Sequence, residues 1–509
     1  MVRTILGTRA FGLGLLCLLL TGVTAALGQH GVTTWHYDNS RTGANSNETI
    51  LTPQNINKKQ FGPIFTQPVD GQVIGQALYL PQVTIPGAGV HNVVYVATMN
   101  DSVYAFDADN ATGSNASPLW MTSFLVNGAT PVPIKLQKCG GVTGWKEVGI
   151  VSTPVINAAT GTIYVVAKTY ENSKFVHRLH ALSVTTGQEL QGSPVTITAS
   201  YTVSGTTYEF ADAMQVNRPA LLLVNGYVYI AFGSNGCRSG LEEGWVMSYN
   251  ATTLQPAGVF DVEPGSSAAA VWMRGGGLSA DSSGNIYGAT ADGPFAAGLD
   301  FGQSVLKLSQ TGNELELADW FTPFNELFLD ENDRDLSEPV LVLPTQSGPY
   351  PNLLAAVGKE GTIYILNQNN LGHFCGTCTK SDTQIVQELT GIAPEGGALV
   401  YWNNAIYTSA TGLPIMGLAL TDGVLASSPF AQSRNVDSGH SPIISANGTT
   451  SGVLWQMTGQ TLAVFNASTL KKIYTSLLPP IPHFANMMVE NGKLYIGTNN
   501  SLLVYGLLP

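Results

Sequence analysis

The sequence predicts an all-β protein, an eight-bladed β-propeller of four-stranded antiparallel blades closed by an N-terminal strand. Three observations carry this expectation. Short strand pairs recur eight times, turn residues separate them at regular spacing, and the two ends of the chain supply complementary pieces of one blade. Only 11% of residues are charged, while Gly, Ser, Thr, Asn and β-branched or aromatic types recur, a mixture suited to short strands and tight turns. A β-sandwich or a pair of β domains is the competing architecture. Regular spacing and complementary ends argue against it.

The first element is a leader. Arg3 and Arg9 precede an apolar run from Phe11 to about Ala26, and small residues at Ala26 and Gly28 suit a signal peptidase, so residues 1–28 are expected to be a cleaved signal peptide. Cys17 would be lost with it, and Leu16 before that cysteine argues against a lipoprotein signal. The protein is therefore expected to be secreted or periplasmic, with no transmembrane segment after cleavage. Residues 29–60 read as an N-terminal extension and 61–509 as one propeller domain. A net charge of −12 speaks against a nucleic-acid partner, whose phosphates would be repelled.

The clearest repeat runs from His91 to Trp120: a strand near Val94–Ala97, a turn at Asn100 and Asp101, a strand near Val103–Phe106, a polar turn, and a last strand near Trp120. The equivalent second-strand positions are Tyr95, Tyr164, Tyr229, Tyr287, Ala355, Tyr407, Trp455 and Tyr495, on average about 57 residues apart. IVSTPVINAATG, RPALLLVNG, SEPVLVLP and HSPIISANG precede such pairs and read as innermost strands. The chain stops after the third strand of its eighth unit, and FGPIF at Phe61–Phe65 is the expected missing outer strand. Tyr95 and Tyr104 are expected to pack between blades, Trp120 and Trp320 to pack on outer strands, and Asp107 and Asn110 to accept turn amides.

The order of inner strand, IYV strand, ALD-like strand, TG turn and terminal Trp resembles the PQQ-like repeat of quinoprotein alcohol dehydrogenases. The stretches WHYDNSRTGANSNETILTPQNI, TPVINAATGTIYVVAK and AAVGKEGTIYILNQNNLGHF extend the likeness to secreted bacterial PQQ-like propellers without an assigned activity. The resemblance implies pyrroloquinoline quinone (PQQ) and calcium as cofactors. It also implies a disulfide between adjacent cysteines, and the sequence has no adjacent pair. No catalytic Asp and no complete Glu-Asn-Asp metal set maps onto it.

Strand topology sorts the remaining cysteines. Cys139 and Cys237 lie in loops on one face, where a disulfide is feasible, while Cys375 and Cys378 in CGTC are expected to pair with each other. A redox dithiol, or zinc held by His373, Cys375 and Cys378, are the alternatives. His177 and His180 have odd spacing in a strand, which points them to opposite faces.

The same topology defines a candidate site. Residues just before the inner strands gather at one mouth of the channel, which brings together Gln76, Thr153, Arg218, Glu338, His440 and Asn486, with Glu147 and Arg274 slightly upstream. Two arginines facing carboxylates can orient a small carboxylate or polyhydroxylated ligand. If the protein oxidises an alcohol, Glu338 or His440 is the candidate base. Asp330, Asp333 and Asp335 are candidate calcium ligands, although their order is not that of an EF-hand. The leading functional expectation is a binding module for an envelope protein, a glycan or a small polar ligand. The alternative is a quinoprotein-like oxidoreductase acting on an alcohol or sugar.

Overall fold

Strands that read as nearly continuous apolar runs are buried on both faces, and the repeat sequences fold accordingly. In the first blade, Val93, Tyr95 and Ala97 face the core shared with the second blade, while Val94 and Val96 face the core shared with the eighth. This period-two division recurs round the ring and makes each blade a partner to both neighbours. The computed structural model describes Met1 and residues 30–138, 142–234, 242–266, 268, 270–434 and 440–509. The expected signal peptide and Cys139 and Cys237 lie outside the described residues.

The result is an all-β, eight-bladed propeller. Its first blade comprises Leu78–Ile85, Gly89–Thr98, Ser102–Asp107 and Trp120–Ser123. The chain's two ends complete the eighth blade as expected: Phe61–Pro68 pairs antiparallel with Ser501–Leu507, Phe61 opposite Leu507.

Side chains then join neighbouring blades. Tyr95 donates its hydroxyl to the Val184 carbonyl at 3.1 Å, Tyr164 to Ala251 at 2.6 Å and Tyr495 to Ala108 at 3.3 Å, each in the turn of the next blade. Trp120 Nε1 donates to the same Val184 carbonyl at 2.9 Å. Its ring lies on Gly187, where φ is +69° and an added Cβ would stand 2.4 Å from the indole. Glycine therefore serves two demands there, the left-handed turn and the close approach. Asp107 Oδ1 accepts the amides of Asp109 and Asn110, and Asn110 Oδ1 accepts that of Thr112.

The N-terminal extension is more than a tail. Its first part is a strap that runs round the inside of the channel and bonds to the inner strand of every blade in turn. Val32 exchanges two backbone hydrogen bonds with Tyr79 of the first blade, and the Thr33 carbonyl accepts from Ile156 of the second. Asn39 Nδ2 donates to Leu223 of the third, and the carbonyls of Asn39, Ser40, Thr42 and Gly43 accept from Ala280, Val342, Tyr401 and Ile444 of the fourth to seventh. Asn45 Nδ2 reaches the Val489 carbonyl of the eighth at 3.0 Å. Ala44–Asn45 also adds a short parallel strand to the seventh blade.

Arg41 anchors the strap. It is 1% exposed, and its guanidinium donates to the carbonyls of Leu278 (2.8 Å), Trp35 (2.8 Å) and Leu221 (3.3 Å) and to Thr34 Oγ1 (2.7 Å). Trp35, fully buried, packs at the axis with Ala220 and Ala398 and stacks on His36 at 3.5 Å. Burial, aided by the charge of Arg41, holds the His36 imidazole down at about 3, so it is neutral.

Candidate functional site

The starts of the inner strands do gather round the axis, above the strap. Gln76 accepts the His36 amide on Oε1 at 3.1 Å, and its own amide donates to Thr153 Oγ1 at 2.8 Å. Asn486 accepts Trp35 Nε1 at 2.9 Å and donates to the Ile74 carbonyl. The Gln76 and Asn486 side chains thus hold His36 and Trp35 at the floor of the mouth, and Thr153 holds the backbone of Gln76.

Arg218, Arg274 and Glu338 form the charged wall. Arg274 Nε meets Glu338 Oε1 at 2.7 Å, its Nη2 meets Glu395 at 2.9 Å, and Arg334 meets the other oxygen of Glu395 at 2.9 Å. Burial raises the Glu338 carboxyl to about 7 despite the opposing pull of Arg274 and Arg218. Arg218 is 0% exposed, and its guanidinium carbon lies 4.3 Å from the centre of the Trp272 ring and 3.5 Å from that of Phe484. Its Nε, Nη1 and Nη2 have no hydrogen-bonding partner.

His440 belongs to the same place. It lines a nearly closed cavity of about 10 Å³ with Arg274, Phe484 and Asn486, and also an open vestibule of about 320 Å³ with Thr143, Ile481, Pro482 and His483. Both ring nitrogens of His440 are buried without partners, and burial lowers the imidazole to about 4.

Glu147 follows Thr143 and Gly144, which line the vestibule with His440. It sits on the two-residue strand Glu147–Val148, paired with Thr130–Pro133, and its carboxyl is pushed up by burial and by Asp70 rather than by anything in the axial group.

The acidic stretch also differs from expectation. A short helix, Glu326–Glu331, turns Asp330 toward the Gly293 amide at 2.7 Å, while Asp333 and Asp335 converge with Asp292 instead. Ligand atoms of these three lie within 4.8 Å of one another, and Lys359 Nζ already bonds Asp333 and, at 2.6 Å, Asp335. Asp292 is 41 positions before Asp333, so no local motif signals it.

Other sequence features resolve as structural. Cys375 and Cys378 form a disulfide, which removes the thiolates a zinc site needs. His373 instead stacks on Trp320 at 4.0 Å and meets Asp319 at 2.9 Å. His177 and His180 pair separately with Asp212 (2.9 Å) and Glu189 (2.6 Å). Lys168, which the sequence reading passed over, is buried on the second blade, donating to Gln137 Oε1 and the Gln215 carbonyl at 2.8 and 2.6 Å, and burial lowers it to about 7.

Among the described residues this mouth does not fit the quinone and calcium that the repeat resemblance implies. The enclosed axial space is about 10 Å³, and the vestibule of about 320 Å³ beside it is open to solvent, whereas an organic cofactor is enclosed in a site of ~300 Å³ or more. The one compact carboxylate group among the described residues already holds the Lys359 ammonium on Asp333 and Asp335.

No protein-family model matches the chain, and no curated protein matches it. Solved structures do. A quinohemoprotein alcohol dehydrogenase from Pseudomonas putida HK5 superposes with a TM-score of 0.58 at 14% identity, covering 94% of this chain and 80% of that one. A europium-containing methanol dehydrogenase gives 0.58 at 12% identity, covering 94% and 98%. These likenesses show a quinoprotein-dehydrogenase-like propeller fold; at such identity they show the fold alone.

Proposed function

We propose that the protein is an extracytoplasmic binding module that takes a small polar solute at the axial mouth, without turnover. The observation that supports this most is the meeting of Arg274, His440 and Asn486 at a small cavity beside the open vestibule of about 320 Å³ that His440 also lines, with Glu338 paired to Arg274 and Trp35 held by Asn486. Fixed, dry, polar groups of this kind suit recognition of a defined ligand. The leader-like first 28 residues and the Cys375–Cys378 disulfide support an oxidising compartment. Among the described residues no helix is long and apolar enough to cross a membrane.

Glu338 and His440 act here as positioning groups. Glu338 orients Arg274 through the 2.7 Å ion pair, and neutral His440 offers one donor and one acceptor at the junction of cavity and vestibule. The test is a thermal-shift and calorimetric screen of small acids, polyols and sugars against the full chain after periplasmic expression. Saturable binding weakened by His440→Ala or Asn486→Ala is the expected result. Substrate-dependent reduction of an artificial electron acceptor after loading with pyrroloquinoline quinone and Ca²⁺ would overturn the reading in favour of an oxidoreductase.

A further inference from the structure

We infer that a groove between the outer strands of the third and fourth blades is a second ligand site, and that it takes an apolar organic amine with its ammonium at Asp261. The groove has a volume of about 880 Å³, within the range of small-molecule sites. It is lined by the outer strand of the third blade, Pro256–Asp261, which pairs with Trp245–Asn250 and has no strand on its other edge. Ser200–Val203, half of a two-stranded hairpin that belongs to no blade, lines it too, as do residues 313–317 of the fourth blade.

The lining is largely apolar and aromatic. Tyr201 meets Phe260 edge-on at 6.0 Å, Phe260 lies 6.4 Å from Phe301, and Leu299 in the same lining is 41% exposed. Asp261 belongs to this lining and is 1% exposed. Its Oδ1 accepts the Glu263 amide at 3.1 Å, while Oδ2 has no hydrogen-bonding partner. Strand alternation puts Asp261 on the side of Val259, which packs in one cluster with Tyr201. Burial, and after it the charge of Asp261, raise the Tyr201 phenol, so the carboxyl lies near that ring. Burial also holds Asp261 itself up at about 8, with Glu243 adding to it, as befits a carboxyl without a counter-charge.

The charge around it selects the ligand. Among the described residues no Lys, Arg or His lines the groove, whereas Glu314 and Glu316 line it together with Asp261. The field is negative, and the protein supplies no cation of its own there. A metal ion would need several ligand atoms, and the one compact carboxylate group among the described residues is that of Asp292, Asp333 and Asp335. A single carboxylate beside aromatic rings suits an ammonium on an apolar body. The ammonium donates to Oδ2 and is attracted by the Tyr201 ring, and the body packs on Phe260 and Leu299.

The probe is phenethylamine hydrochloride, with 2-phenylethanol as its neutral counterpart and sodium chloride to match ionic strength. Calorimetry and thermal unfolding of the full chain are expected to show saturable binding of the amine. The midpoint should rise on the order of 2 °C at a hundredfold excess over Kd, and 2-phenylethanol should bind at least about tenfold more weakly. Asp261→Asn keeps an acceptor for the Glu263 amide and removes the charge. It is expected to weaken the amine about thirtyfold while leaving the ligand-free midpoint within about 1 °C, whereas an aspartate with a purely structural role would lower that midpoint. If D261N does not fold, Tyr201→Leu carries the test: it keeps an apolar side chain but not the ring, and the amine should bind about fivefold more weakly. No saturable response in the wild type, equal binding of the alcohol, or unchanged amine binding in D261N or Y201L overturns the inference. The axial-mouth reading shares no residue with this groove, so its own screen decides it separately.

Discussion

Replacing Arg41 with Met tests whether the strap holds the ring together. Methionine keeps most of the volume, so the change isolates the polar contribution of a side chain that is 1% exposed. It withdraws donors from the carbonyls of Trp35, Leu278 and Leu221 and from Thr34 Oγ1. Each buried acceptor left without a donor costs ~1–3 kcal/mol, and the two bonds at 2.8 Å carry the largest share. Against this, the variant no longer buries a guanidinium, whose desolvation is large enough to lower Arg41 to about 10. The balance is a loss on the order of 2–4 kcal/mol. Urea unfolding followed by tryptophan fluorescence measures it, and limited proteolysis with N-terminal sequencing asks whether residues 30–48 become cleavable. A variant within ~0.5 kcal/mol of wild type, with its strap still protected, would refute the reasoning.

Three other perturbations have defined outcomes. Gly187→Ala forces a Cβ against the Trp120 ring at a positive φ and should cost ~2–3 kcal/mol, whereas Trp120→Phe should cost only ~1 because Tyr95 still serves the Val184 carbonyl; denaturation midpoints distinguish them. Glu338, Asp292, Asp261 and Glu490 titrate in the folded state at about 7, 7, 8 and 8, all raised by burial. Such groups bind protons more tightly when folded, so the stability they lend is complete below about pH 4 and is lost as pH rises through 7–8. Unfolding midpoints should therefore fall between pH 6 and 8.5, and less steeply in Glu490→Gln; a flat profile would count against these burials. Reducing the Cys375–Cys378 disulfide should release two thiols to a labelling reagent yet cost no more than about 2 kcal/mol, since the loop it closes is short.

The ring was legible because its signals are carried by side chains. A strand such as Asn92–Ala97 must be apolar on both faces, so it stands out, and a last blade lacking an outer strand points to Phe61–Phe65. The grouping of Arg218, Arg274, Glu338, His440 and Asn486 followed from topology alone, since inner-strand starts share one end of the axis. The strap was not legible, for a physical reason: most of its bonds are made by the main-chain oxygens of Thr33, Asn39, Ser40, Thr42 and Gly43, which any residue could supply. Asp292 joined Asp333 and Asp335 through a loop crossing that no spacing encodes, and the two-residue strand Glu147–Val148 was too short to read.

The strap also sets an order of events during synthesis. Residues 32–45 leave the ribosome before every one of their partners, which are spread from Tyr79 to Val489, so part of their seat is made only hundreds of residues later. Until then the segment has only a partial arc to lie on. Pairings this distant in sequence form slowly and leave strand edges open meanwhile, when aggregation competes. A propeller wound round a segment that precedes it therefore gains an internal axle, and in exchange that segment waits for the eighth blade before it is fully bonded.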